Sequence, residues 1–102
     1  MKRSDGKDRR REETPAAPKK RLASLQDDFL DDLAYWVAAD PRIAVRLLRI
    51  MSETLRDPFN GIGKPEPLKH LGAWSRRLTG EHRVVYVVHD DTIEFSQARY
   101  HY

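Results

Sequence analysis

Five consecutive residues, Val84, Val85, Tyr86, Val87 and Val88, are β-branched or aromatic, and they lie between His82 and His89. That composition predicts a strand buried on at least one face. The following stretch, 92–99, alternates instead, with Ile93 and Phe95 set against Thr92, Glu94 and Ser96, the period of a strand with one solvated face. Asp90 and Asp91 between them predict a hairpin turn, and pairing across that turn places His82 near Arg99 and Arg83 near Ala98. Under strict alternation, Arg83 and His101 then fall on opposite faces, and only a bend in the tail would join them.

Helical spacing dominates earlier in the chain. Leu30, Leu33, Ala34 and Val37 recur as an apolar stripe, with Asp27, Asp28, Asp31 and Asp32 on the other face and at the favourable end of the dipole. Residues 22–25 read as a short first strand, and Ser24 with Asp27 resembles a capping box opening the helix. Asp40-Pro41 restarts a helix with an N-cap and a Pro at its first position. Ile43, Leu47, Ile50, Met51, Thr54 and Leu55 form that helix's buried side, and Asp57-Pro58 ends it. So short a link makes a helical hairpin whose shared apolar face needs a sheet to cover it. Tyr35 and Trp36 are expected to pack at that boundary. Residues 59–67 read as a loop, with Asn60, Gly61, Gly63, Pro65 and Pro67 as breakers, and 67–71 as the possible start of a strand. A turn at Gly72 leads to a strand over 74–79, with Arg76 and Arg77 on opposite faces, and Gly80-Glu81 leads into the valine run.

With 102 residues there is room for one domain and a single small core. The absence of cysteine removes disulfide and thiolate chemistry and suits a reducing compartment. Without a long apolar run or a leader-like start, a soluble, cytoplasmic protein with no membrane partner is expected. The net charge of +3 is unevenly spread: residues 1–21 hold nine Lys or Arg against four Asp or Glu, residues 22–57 four against seven, and residues 58–102 six against five. The basic first 21 residues, with Ala and Pro at their centre, lack the apolar side chains needed to offset ordering and are expected to be a disordered extension before a domain at 22–102. Such an extension suits either a basic arm drawn to RNA or a ribosomal surface, or a simple solvated tail. Lys69, Arg76, Arg77, Arg83 and Arg99 are spaced to share one sheet face or rim.

Candidate chemistry gathers at Glu66, Arg83, His101 and Tyr102, with Lys69, His70, Arg77 and Arg99 around them. Prolines on both sides of Glu66 restrict it to extended conformations, which either preorganises a carboxylate or leaves an exposed Glu in a rigid turn. A carboxylate, an imidazole and a guanidinium suffice for metal-free RNA cleavage, and tyrosines can stack on an unpaired base. The four His show no zinc spacing, and no phosphate-binding Gly loop is present, so neither a metal nor a nucleotide cofactor is expected. His70, His82 and His89 read as surface or packed residues.

Gly63-Lys64-Pro65-Glu66-Pro67-Leu68-Lys69-His70, Trp74-Ser75-Arg76-Arg77, Glu81-His82-Arg83 and Arg99-Tyr100-His101-Tyr102 together resemble the YoeB (Txe) toxins over about residues 25–102. The resemblance implies an α+β, RelE-like fold, a helical hairpin on a small, mainly antiparallel, twisted sheet. It also implies the toxin of a type II toxin-antitoxin pair: a ribosome-dependent mRNA endonuclease that forms a homodimer and is neutralised by a YefM-type antitoxin. By position it implies Glu66 as general base, His101 as general acid, Arg83 as phosphate stabiliser, Tyr102 as substrate-positioning residue, and Lys69 and Arg77 as phosphate contacts. Departures from the pattern are a loop after His70 shorter by about one residue, Leu25 where a Trp is usual, and the basic extension. A non-catalytic inhibitor like the gyrase-poisoning ParE branch, or a relic that binds antitoxin without cutting, is the alternative; the ParE branch lacks the matched Glu and terminal His.

Overall fold

The computed structural model describes residues 20–100. The order along the chain is β1 (Leu22–Leu25), α1 (Asp27–Ala39), α2 (Pro41–Arg56), β2 (Glu66–Leu68), β3 (Ala73–Arg77), β4 (Arg83–Val88) and β5 (Thr92–Gln97). The five strands form one sheet in the order β1-β5-β4-β3-β2, antiparallel except for the parallel pair β1 and β5. This is the expected α+β architecture, a helical hairpin over one face of a mainly antiparallel sheet.

The core lies between the helices and the sheet face carrying Val84, Tyr86, Ile93 and Phe95, which meets Phe29, Trp36, Ala44, Leu47 and Ile50. The expected stripe of α2 is the one that packs, with Leu47, Ile50 and Thr54 buried and Ile43, Met51 and Leu55 partly so. Asp40 caps that helix through its carboxylate, which accepts from the Arg42 amide at 3.2 Å. Helix α1 is rotated from its expected setting. Phe29 and Trp36 are its buried residues and Leu33 is partly buried, whereas Leu30, Ala34 and Val37 are exposed. Large rings decide the rotation: Phe29 packs on Phe95 with centroids 5.3 Å apart, and Trp36 donates its indole N–H to the Ala98 carbonyl at 2.8 Å. The same rotation turns Asp32 inward, where it accepts the Ala98 amide at 2.8 Å. Tyr35 is exposed rather than packed in the core. The capping box at Ser24 does not form, because Ser24 is a strand residue and Gln26 holds the N-cap position without a side-chain bond.

Arg76 is fully buried on the helix side of β3, so the five basic residues do not share one face. Its guanidinium donates to the carbonyls of Asp57 (2.5 Å), Asn60 (3.1 Å) and Ile62 (3.1 Å) and to the Tyr86 hydroxyl (3.2 Å), which donates onward to the Pro58 carbonyl at 2.6 Å. Burial pushes the Tyr86 phenol above its ordinary pKa, against the lowering effect of Arg76. Arg76 thereby substitutes for a ladder of backbone bonds in a loop whose Gly and Pro content rules one out. Gly63 lies in that loop at φ +80°, and a Cβ there would stand 2.9 Å from the Arg77 carbonyl and 3.0 Å from the Arg76 Cβ. Gly63→Ala is therefore expected to cost about 1–3 kcal/mol for the backbone conformation alone, with a further loss from the clash, read as a lowered urea midpoint.

Strand limits differ from expectation at β2, β3 and β5, the last of which ends at Gln97 instead of Arg99. Strand β2 begins at Glu66, inside the expected loop, and a 3-10 turn over Lys69–Leu71 replaces the continued strand. Strand β3 stops at Arg77, where the Leu78 and Thr79 amides turn to the His82 carbonyl. Residues 1–19 of the expected basic extension lie outside the described residues. Arg21 is tied to the domain, its amide bonding the Leu55 carbonyl at 3.4 Å and its side chain the His89 carbonyl at 2.9 Å. Among the described residues no helix is long and apolar enough to cross a membrane.

Candidate active site

The sheet's second face, away from the helices, carries the polar residues. Pairing of β2 with β3 sets Glu66 opposite Ser75, and pairing of β3 with β4 sets Ser75 opposite Val85 and Arg77 opposite Arg83. Residues paired across strands point to the same face, so Glu66, Ser75, Arg77 and Arg83 converge. Leu68, Ala73, Val85 and Val87 form a small apolar floor beside them.

Arg83 is the fixed centre of this group. Its side chain is only 10% exposed; Nε donates to the buried Ser75 hydroxyl at 2.9 Å, and one terminal nitrogen lies 3.3 Å from Glu66 Oε1. Glu66 is 57% exposed, so the ion pair orients the carboxylate without removing it from solvent. Lys69 and His70 occupy the exposed 3-10 turn directly after Glu66's strand. Arg77 is exposed at the end of β3, held from behind by Arg46 of α2, which donates to the carbonyls of Leu78 and Arg77 at 2.8 and 3.5 Å.

The expected register across the hairpin holds only near the turn. Val88 pairs with Ile93, Val87 with Glu94 and Tyr86 with Phe95, but Val85 pairs with Gln97, because a bulge shifts the register by one residue. The Arg83 amide consequently donates to the Tyr100 carbonyl at 3.2 Å, and His82 meets Tyr100 instead of Arg99. An extra residue in one strand reverses the alternation beyond it. The unbroken ladder that would set Arg83 and His101 on opposite faces is therefore absent among the described residues. His101 and Tyr102 themselves lie outside the described residues.

Arg99 is not with Arg83 and Glu66. Its guanidinium carbon sits 3.5 Å from the Tyr35 ring centroid and 4.8 Å from that of Tyr100, and it donates to the Tyr100 hydroxyl at 2.9 Å. It lines a cleft against α1 with Asp28, Asp31, Asp32 and Gln97. Two residues given no role from sequence belong to the arrangement. Ser75 orients Arg83, and only its place in the Trp74-Ser75-Arg76-Arg77 run hinted at it. His82 accepts the Tyr100 amide through Nδ1 at 2.7 Å. Among the described residues no group of three or more His, Asp or Glu could hold a metal ion.

The helical hairpin on a five-stranded sheet is an architecture shared with solved toxins of toxin-antitoxin pairs. The sequence model of the YoeB-like toxins of bacterial type II toxin-antitoxin systems matches residues 25–102, and the chain belongs to that family. Toxin YoeB of Escherichia coli (strain K12) is 51% identical over 78 residues, covering 74% of this chain and 93% of that protein. Among solved structures, a YoeB/ParE toxin from Agrobacterium tumefaciens superposes with a TM-score of 0.76 at 39% identity, covering 79% of this chain and 99% of its own. A YoeB from Staphylococcus aureus, solved as a dimer, superposes at 0.74 with 31% identity. In a heterotetrameric complex with the antitoxin YefM it superposes at 0.71 with 32% identity, and both cover 82% of this chain and all of theirs.

Proposed function

We propose that the chain is a ribosome-dependent endoribonuclease that cuts mRNA in the A site by metal-free acid-base catalysis. Glu66 takes the proton of a 2′-hydroxyl, the 2′-oxygen attacks phosphorus, and the 5′-oxygen leaves with a proton supplied by His101. The products are a 2′,3′-cyclic phosphate and a 5′-hydroxyl. Arg83 offsets the charge growing on phosphorus, Tyr102 positions the nucleotide, and Lys69, Arg77 and Arg99 engage flanking phosphates. Arg99 is the outlying member, reaching RNA only along the rim next to α1.

The observation that carries this reading is the meeting at Arg83. Its guanidinium is fixed by Ser75 beside Glu66, while its amide holds the carbonyl of Tyr100. His101 follows Tyr100 directly in the sequence, and the hold on Tyr100 at Arg83 supports the role proposed for the residues after it. A guanidinium has five N–H donors, enough to hold Ser75 and Glu66 and still engage a phosphate. Each positioned acid or base supplies about 10²–10⁴ in rate.

Glu66→Ala and His101→Ala are each expected to abolish cleavage of ribosome-bound mRNA and growth arrest while leaving the circular dichroism spectrum unchanged. If both variants still cut, the mechanism fails. On induction of the wild type, collapse of translation with intact DNA synthesis separates this reading from a ParE-like inhibitor. The same reading gives the chain a cytoplasmic site of action, a YefM-type antitoxin and a homodimeric state, as the Staphylococcus aureus relative has in its solved forms.

A further inference from the structure

His82 is not a surface histidine. Its side chain is 13% exposed and lies edge-on to the Trp36 ring, with centroids 4.9 Å apart and planes at 81°. Its Nδ1 accepts the Tyr100 amide at 2.7 Å. A backbone N–H can only donate, so Nδ1 is the acceptor in this contact. Tyr100 needs holding: it is a non-glycine residue at φ +63°, a backbone conformation that persists only where surrounding contacts fix it. Those contacts are the imidazole on its amide and the Arg83 amide on its carbonyl. One residue earlier but one, Ala98 is bound at both its amide and its carbonyl by Asp32 and Trp36 of α1.

We infer that His82 is a positioning residue for cleavage: through Nδ1 it fixes the backbone of Tyr100, whose carbonyl Arg83 holds and from which the chain continues to the proposed catalytic residues. The inference rests on the proposed role of His101 and Tyr102. The charged and titratable groups around the ring are few. Glu81, in the turn before β4, has Oε2 3.6 Å from Nε2, and β4 begins with Arg83. The C-terminal segment brings Tyr100 and the Arg99 guanidinium bonded to its hydroxyl, and α1 brings Asp32, Tyr35 and the uncharged Trp36. Glu81 is 80% exposed and cannot substitute for the lone pair at the other nitrogen.

Two variants test this. His82→Phe keeps a ring against Trp36 and removes the acceptor; His82→Asn places an amide oxygen near Nδ1 and cannot take up a proton. Amide hydrogen exchange on the full chain should show Tyr100 losing at least about tenfold of its protection in the Phe variant and keeping it in the Asn variant. In single-turnover cleavage on mRNA-programmed ribosomes, the Phe variant should lose on the order of 100-fold in rate at saturating ribosome, with its apparent affinity unchanged. The Asn variant should stay within about threefold of wild type, because its amide oxygen replaces the acceptor. Unchanged Tyr100 protection in the Phe variant, or an Asn variant as slow as Phe, overturns the inference. A wild-type chain that does not cut at all would instead overturn the nuclease reading, and the exchange measurement alone would then decide the role of His82.

Discussion

Arg76→Met is expected to lower the unfolding free energy by about 3–5 kcal/mol, enough to leave a domain of this size barely folded. Three carbonyls and the Tyr86 hydroxyl lose a charged donor at once, each such bond contributing about 1.5–3 kcal/mol. The guanidinium's own desolvation cost, removed with it, offsets part of that loss. Arg76→Lys should not rescue, because an ammonium at the end of a flexible stem cannot span acceptors arranged around a planar fork. Urea unfolding followed by tryptophan fluorescence measures both, and a change under about 1 kcal/mol for the Met variant would show that the loop over 57–63 holds itself without Arg76.

Arg83→Lys, by contrast, should leave stability nearly intact and cut the cleavage rate by about 10²–10³ at saturating ribosome. The positive charge survives, but lysine has no Nε donor for Ser75 while its tip faces Glu66, so the point of charge is no longer fixed relative to the scissile phosphate. Single-turnover rates with matched ribosome-binding curves separate the two effects. A Lys variant with wild-type turnover would mean that charge alone, without the fork, is what Arg83 supplies.

Much of this was legible in the chain itself. The valine run, the Asp40-Pro41 restart and the stripe of α2 are each set by local chemistry and period and form as expected, and the alternating partner forms as far as Gln97. Helix α1 departs from its expected setting because its apolar residues wrap well past one face. Leu30, Ala34 and Val37 satisfy the same spacing as Phe29, Leu33 and Trp36, and only the fit of large rings against Phe95 and Ala98 chooses between them. The bulge beyond Tyr86 has no marker such as glycine, so the one-residue shift that carries Tyr100 to Arg83 was invisible to pattern reading. Ser75 and His82 were passed over for a related reason. A hydroxyl that orients an arginine and a lone pair that holds a main-chain amide are properties of pairing across strands, and a linear motif lists such residues without saying what they touch.

The parallel pairing of β1 with β5 has a bearing on how the protein is made. Leu22 lies against Thr92, seventy positions away, and β5 sits inside the sheet between β1 and β4. During translation, the first strand therefore has nothing to pair with until the fifth has emerged, and the helical hairpin waits with its apolar side uncovered, since Ile93 and Phe95 complete the floor beneath it. A partly synthesised chain cannot assemble the Arg83-Tyr100 junction either. Under the proposed nuclease activity, the ribosome that builds this molecule is spared its chemistry until β5 and the segment after it have joined the fold.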